Sequence, residues 1–146
     1  MSDLVACELP ADLKEHVYVL FSSLRPDLVK VGRSKSATRI HSLRKMHYGD
    51  VTDWSPLCVV SLDTRHTAIA VEAMAHARLA AEGFLVPSFR WTRLPDQKSC
   101  LANECFSCCP HYAVSVVKKM AQVINEHVLQ MSANNSFKPM PLRGSA

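Results

Sequence analysis

Long apolar runs are missing from this chain of 146 residues. No stretch approaches the roughly 20 apolar residues that a membrane-spanning helix needs, so a helical span is excluded and no membrane partner is expected. The opening residues, MSDLVACELPADLKEH, carry early acidic groups and lack a basic segment followed by an apolar core. They do not read as a secretory signal, and a cytoplasmic location is the expectation. No internal repeat is visible, which excludes a repeat array. Charge of one sign is also scarce: 17 basic and 13 acidic residues leave a net +4. What is present is ordinary for a globular protein, with 48% hydrophobic and 21% charged residues. The length suits one compact unit with a substantial core. Residues 1–131 are expected to form that single domain. Residues 132–146, with Asn134-Asn135, Pro139 and Pro141, read as a flexible C-terminal tail.

The most informative stretch is Val17 to Arg39, VYVLFSSLRPDLVKVGRSKSATR. Val17 to Phe21 is rich in β-branched and aromatic residues, as a half-buried strand favours. Pro26 and Asp27 supply turn chemistry, and Leu28 to Val31 alternates again, so Lys30 and Val31 point to opposite faces. Gly32 marks the place where the second strand gives way to a loop. Ser34 or Ser36 is positioned to cap a helix over about Ala37 to Met46, with Ile40 and Leu43 on its buried stripe and Arg39 beside it. Further on, Trp54 to Leu62 reads as a third strand. Asp63 or Thr64 caps a long helix, Arg65 to Glu82, that ends at Gly83. Its apolar stripe is Ala68, Val71, Ala75 and Leu79, and Glu72 and His76, four apart, share one face. His47 to Asp53 reads as a polar loop, Phe84 to Asn103 as irregular, and Pro110 to Met131 as a last helix. The fold class is therefore α/β: a small three-stranded sheet with an N-terminal antiparallel hairpin, flanked by helices.

Taken in order, these pieces resemble the GIY-YIG endonuclease superfamily, in a phage-type branch whose second motif has lysine instead of tyrosine. Val17-Tyr18-Val19 stands in the place of the first motif and Lys30-Val31-Gly32 in the place of the second. Arg39 stands where members place an arginine on the following helix, and Glu72 where they place a metal-binding glutamate. Glu104-Cys105-Phe106 resembles a Glu-Trp-Phe element of the branch. Leu43 stands where many members carry a histidine. The resemblance covers roughly Glu15 to Met120 and implies a metal-dependent endonuclease. In that reading Tyr18 acts as general base or orients the water. A free tyrosine titrates near about 10, so it needs a nearby cation to serve as a base at neutrality. Lys30 and Arg39 are the candidate cations, and the planar fork of Arg39 also suits a phosphate oxygen. Glu72 binds one divalent ion, Mg2+ or Mn2+, and His76 shuttles protons or positions substrate.

Seven basic residues lie between Arg25 and Lys45, against Asp27 alone. Such a cluster suits a phosphate-rich partner, DNA ahead of RNA, and Arg33, Lys35, Arg44 and Lys45 are the candidate contacts. With no separate recognition module, target choice needs a homodimer, a protein partner, or low specificity. The cysteines support a reading from another class. Cys100, Cys105, Cys108, Cys109 and His111 form C-x4-C-x2-C-C-x-H. A structural Zn2+ site on Cys100, Cys105, Cys108 or Cys109, and His111 would suit a catalytically inactive nucleic-acid-binding or interaction module. Taken singly, Tyr18, Lys30, Arg39 and Glu72 have plain packing or surface readings; only as a set do they point to chemistry.

Overall fold

The structure, a computed structural model, describes residues 4–7, 15–36 and 38–137, with 132–137 as backbone only. The chain forms β1 (Glu15–Phe21), β2 (Val29–Ser34), α1 (Arg39–Met46), a 3-10 turn (Tyr48–Asp50), β3 (Ser55–Leu62) and α2 (Arg65–Ala81). β4 (Phe89–Arg93), β5 (Lys98–Ala102), β6 (Cys105–Phe106) and α3 (Pro110–Phe137) follow. The main sheet has the order β3-β1-β2-β6, all antiparallel, so the expected three strands gain a short fourth at the β2 edge. Among the described residues no helix is long and apolar enough to cross a membrane.

The hairpin forms as its sequence predicts. The Leu28 N–H donates to the Arg25 carbonyl at 3.0 Å, closing a turn around Pro26. Asp53 secures the approach to it, accepting from the Ser23 N–H at 2.9 Å and the Leu24 N–H at 3.2 Å. Alternation then sorts the two strands. Val17, Val19, Val29 and Val31 face α2 and α3, where Ala68, Val71, Ala75, Leu79, Ala113 and Val117 complete one core. Tyr18 and Leu20 face a second core made with Leu28, Ile40, Leu43, Tyr48, Trp54 and Trp91. A helix layer thus covers one face of the sheet, and α1 with the β4–β5 hairpin covers the other.

Several local expectations need correction. Gly32 does not end β2; it lies inside the strand, directly across from Tyr18. A Cβ there would sit 2.5 Å from Cζ of Tyr18, so the glycine is required for the tyrosine ring to lie against the strand. Neither serine N-caps α1: Thr38 holds the N-cap position, without a side-chain cap bond. The segment after α1 is not a simple polar loop, because Tyr48 and Gly49 are buried. Phe84 to Asn103 is not irregular: Pro87 precedes a hairpin and Pro95 lies in its turn, and Trp91 pairs with Cys100 in it. The last helix continues past Met131 to Phe137; the rest of the expected tail, 138–146, lies outside the described residues. α2 is as expected, with the Thr64 side chain accepting from the Thr67 N–H at 3.1 Å and Gly83 in the left-handed region at φ +86°.

Candidate functional site

Three elements deliver the site. β2 contributes Lys30, on the same face as Tyr18 of β1. α2 contributes Glu72 and His76. These follow Val71 and Ala75 by one residue each, about 100° round the helix, so they border the buried stripe rather than face open solvent. The turn before β6 contributes Glu104. β6 pairs with β2 only through Val29 and Lys30. Beyond that point the Val31 N–H still meets the Glu104 carbonyl at 3.3 Å, and His76 of α2 reaches the Val31 carbonyl.

Lys30 is 1% exposed. Its Nζ donates to Oε1 of Glu104 at 2.6 Å and lies 4.5 Å from the Tyr48 ring centroid and 5.6 Å from that of Tyr18. Burial alone would make the ammonium shed its proton. The surrounding Tyr18, Glu104 and Tyr48 oxygens reverse this, and the net shift is upward. Burial likewise works to raise Glu104, but the Lys30 charge and hydrogen bond, helped by His76 and Arg39, hold its carboxyl below the usual range. Glu72 behaves oppositely: burial first, then the Glu104 charge, raise it despite His76, Arg33 and Lys30. Burial pushes Tyr48 up to about 12, so it remains a neutral phenol against Lys30.

His76 Nε2 is 2.8 Å from the Val31 carbonyl oxygen. That oxygen only accepts, so Nε2 carries the hydrogen, and a neutral ring has its lone pair on Nδ1. The ring also packs 5.2 Å from Phe106, centroid to centroid. One ligand atom each from Glu72, His76 and Glu104 lies within 4.8 Å of the other two, and among the described residues this is the one such group of His, Cys, Asp or Glu.

The expected residues are only partly brought together. Lys30 meets Tyr18 and Glu104, and Glu104 in turn meets Glu72 and His76. Arg39 is exposed at the start of α1, near enough for its charge to act on Glu104. Arg33, on the α2 face of β2, is turned inward between Glu15 and Glu72, at 3.8 and 3.7 Å. Arg44 donates through Nε to the Trp54 carbonyl. Lys35 and Lys45 are exposed. The cysteines do not gather around a zinc position. Cys105 and Cys100 pack with the Tyr48–Trp91 core, whereas Cys108 packs against the helix-side core and Cys109 and His111 are exposed. The alternating strand β6 is the cause, since it sends Cys105 and Phe106 to opposite faces. All six cysteines are free thiols.

Two site residues were not picked out for a role from the sequence. Glu104 had a signal, the Glu-Cys-Phe string. Tyr48 had none, since it sits in a turn without periodicity. In comparison with known proteins, the T5orf172 domain, a phage-associated domain found in nuclease contexts, matches residues 15–124. No curated protein and no solved structure matches the chain.

Proposed function

Because the chain belongs to the T5orf172 domain family, we propose that it is a metal-dependent endonuclease of GIY-YIG type that hydrolyses phosphodiester bonds, with DNA as the favoured substrate. The observation that carries this reading is the meeting of the Glu72, His76 and Glu104 ligand atoms beside buried Lys30 and Tyr18. The donor set fits a divalent ion: two carboxylates, one oriented imidazole, and a Glu72 carboxyl that burial and a like charge hold in a state that a cation would relieve. Glu72, His76 and Glu104 would hold the ion, which when bound supplies Lewis-acid stabilisation of the phosphoryl oxygens.

The remaining roles follow from placement. The Tyr18 hydroxyl, held over Gly32, orients the attacking water. Arg39, exposed at the start of α1, takes a phosphate oxygen through its fork. The Lys30 ammonium is already committed to Glu104. It acts through its field and by holding Glu104 in place. Arg33 steadies Glu72, while Lys35 and Lys45 give the electrostatic approach for the nucleic-acid backbone.

The test is cleavage of plasmid and single-stranded DNA in Mg2+, Mn2+ or EDTA, with Glu72→Ala and Tyr18→Phe beside the unmodified chain. Metal-dependent cleavage lost in both folded variants supports the reading. Folded protein that cuts nothing in any metal but retains DNA binding makes it a non-catalytic binding module instead.

A further inference from the structure

Resting on that reading and deepening it, we infer that Glu72, His76 and Glu104 form a three-ligand site with mixed nitrogen and oxygen donors that prefers a first-row transition ion, manganese among them, over magnesium. The ligand atoms come from two separate elements, α2 and the turn before β6, yet all lie within 4.8 Å of one another. The imidazole is not a bystander swinging on the surface. Its Nε2–H is committed to the Val31 carbonyl at 2.8 Å, and this backbone contact fixes the ring and leaves Nδ1 as its donor atom. A ligating histidine that gives its other N–H to a backbone carbonyl is the usual outer-sphere arrangement of metal sites.

Glu104 has one oxygen already taken. Oε1 accepts from Lys30 at 2.6 Å, which leaves Oε2 as the oxygen without a competing ammonium. Glu104 therefore offers one oxygen, His76 one nitrogen, and Glu72 its carboxylate. This is a partial set that leaves coordination positions for water or phosphate. Magnesium demands near-ideal octahedral oxygen coordination and keeps its waters, so it gains little from an imidazole. Transition ions accept nitrogen readily, and helix-borne Glu and His donors recur in dimanganese and di-iron proteins.

The experiment uses the full chain, stripped of metal, with no nucleic acid present. Mn2+ is titrated in and free Mn2+ is read by electron paramagnetic resonance. Mg2+ is then added as competitor, and the bound Mn2+ is examined by electron spin-echo envelope modulation. Expected are displacement only at about a tenfold or greater excess of Mg2+, a directly coordinated 14N signal, and loss of at least about tenfold in Mn2+ affinity in His76→Gln, a change as large as even outer-sphere partners produce. Equal competition by Mg2+, absence of the nitrogen signal, or unaltered Mn2+ affinity in folded His76→Gln overturns the inference. The nitrogen signal is read on the unmodified chain, so the test survives a variant that fails to fold. Nitrogen-coupled Mn2+ without DNA cleavage would keep this site and remove the nuclease reading. Mg2+-supported cleavage without nitrogen coupling would do the reverse.

Discussion

The Lys30 ammonium and the Glu104 carboxylate meet at 2.6 Å, but from unequal environments: the lysine side chain is 1% exposed and the glutamate 36%. The consequence is an asymmetry. Glu104→Ala strands a buried ammonium and is expected to cost about 3–5 kcal/mol. Lys30→Met leaves a carboxylate that water can reach, at a lower cost of about 1–3 kcal/mol. Urea denaturation of both variants checks this, and equal or reversed costs would contradict it.

Gly32 and Tyr18 should be strongly coupled. Gly32→Ala places a Cβ 2.5 Å from Cζ of Tyr18 and is expected to destabilise by about 1–3 kcal/mol through overpacking. In a Tyr18→Ala background the same change should cost much less, since the ring it strikes is gone. A double-mutant cycle read by thermal or urea unfolding decides, and additive costs would sink the idea.

Glu72 should weaken the metal-free fold at neutral pH. Its folded carboxyl is raised, by burial and then by Glu104. Between its unfolded pKa and that raised value the folded state binds more protons, so its contribution declines as pH rises through this window. Glu104 has the opposite sign: its lowered carboxyl contributes stability that is lost as pH falls through the folded value. Glu72→Gln is therefore expected to stabilise the chelated protein at pH 7 by about 0.5–2 kcal/mol, and Mn2+ should raise the melting temperature of the unmodified chain only. Stability curves from pH 4 to 8 in EDTA check the first; a destabilised Glu72→Gln would refute it.

The cysteines should be irrelevant to metal content. Replacing Cys100 and Cys108 by serine is expected to leave bound zinc, measured by atomic absorption, unchanged. Stoichiometric zinc that vanishes in this double variant would restore the zinc-module reading.

The sequence carried the local elements well because their signals are local. Alternation exposed the hairpin, and an apolar stripe with a threonine cap and a glycine exposed α2. Glu72 and His76 were placed together by helical spacing alone. The partner of Lys30 was not legible, because Glu104 is 74 residues away in sequence and nothing in either string encodes the meeting. Tyr48 was hidden in a turn, and the β4–β5 hairpin behind two prolines that read as breakers. The basic cluster is divided between inward and exposed positions. Arg33 is drawn toward the carboxylates of Glu15 and Glu72, whereas Arg44 stays exposed with only its Nε bound to a backbone carbonyl.

The short β6 leaves Val31 at an unpaired strand margin, and the protein seals that margin with its own site. The Val31 N–H is taken by the Glu104 carbonyl at 3.3 Å and the Val31 carbonyl by the His76 ring. A free strand margin is a template for pairing with other chains. The His76 imidazole thus covers the one carbonyl there that the Glu104 turn leaves free. Removing it would uncover a carbonyl where a second molecule could add a strand, so His76 variants are expected to self-associate more readily than Tyr18 variants in sedimentation velocity.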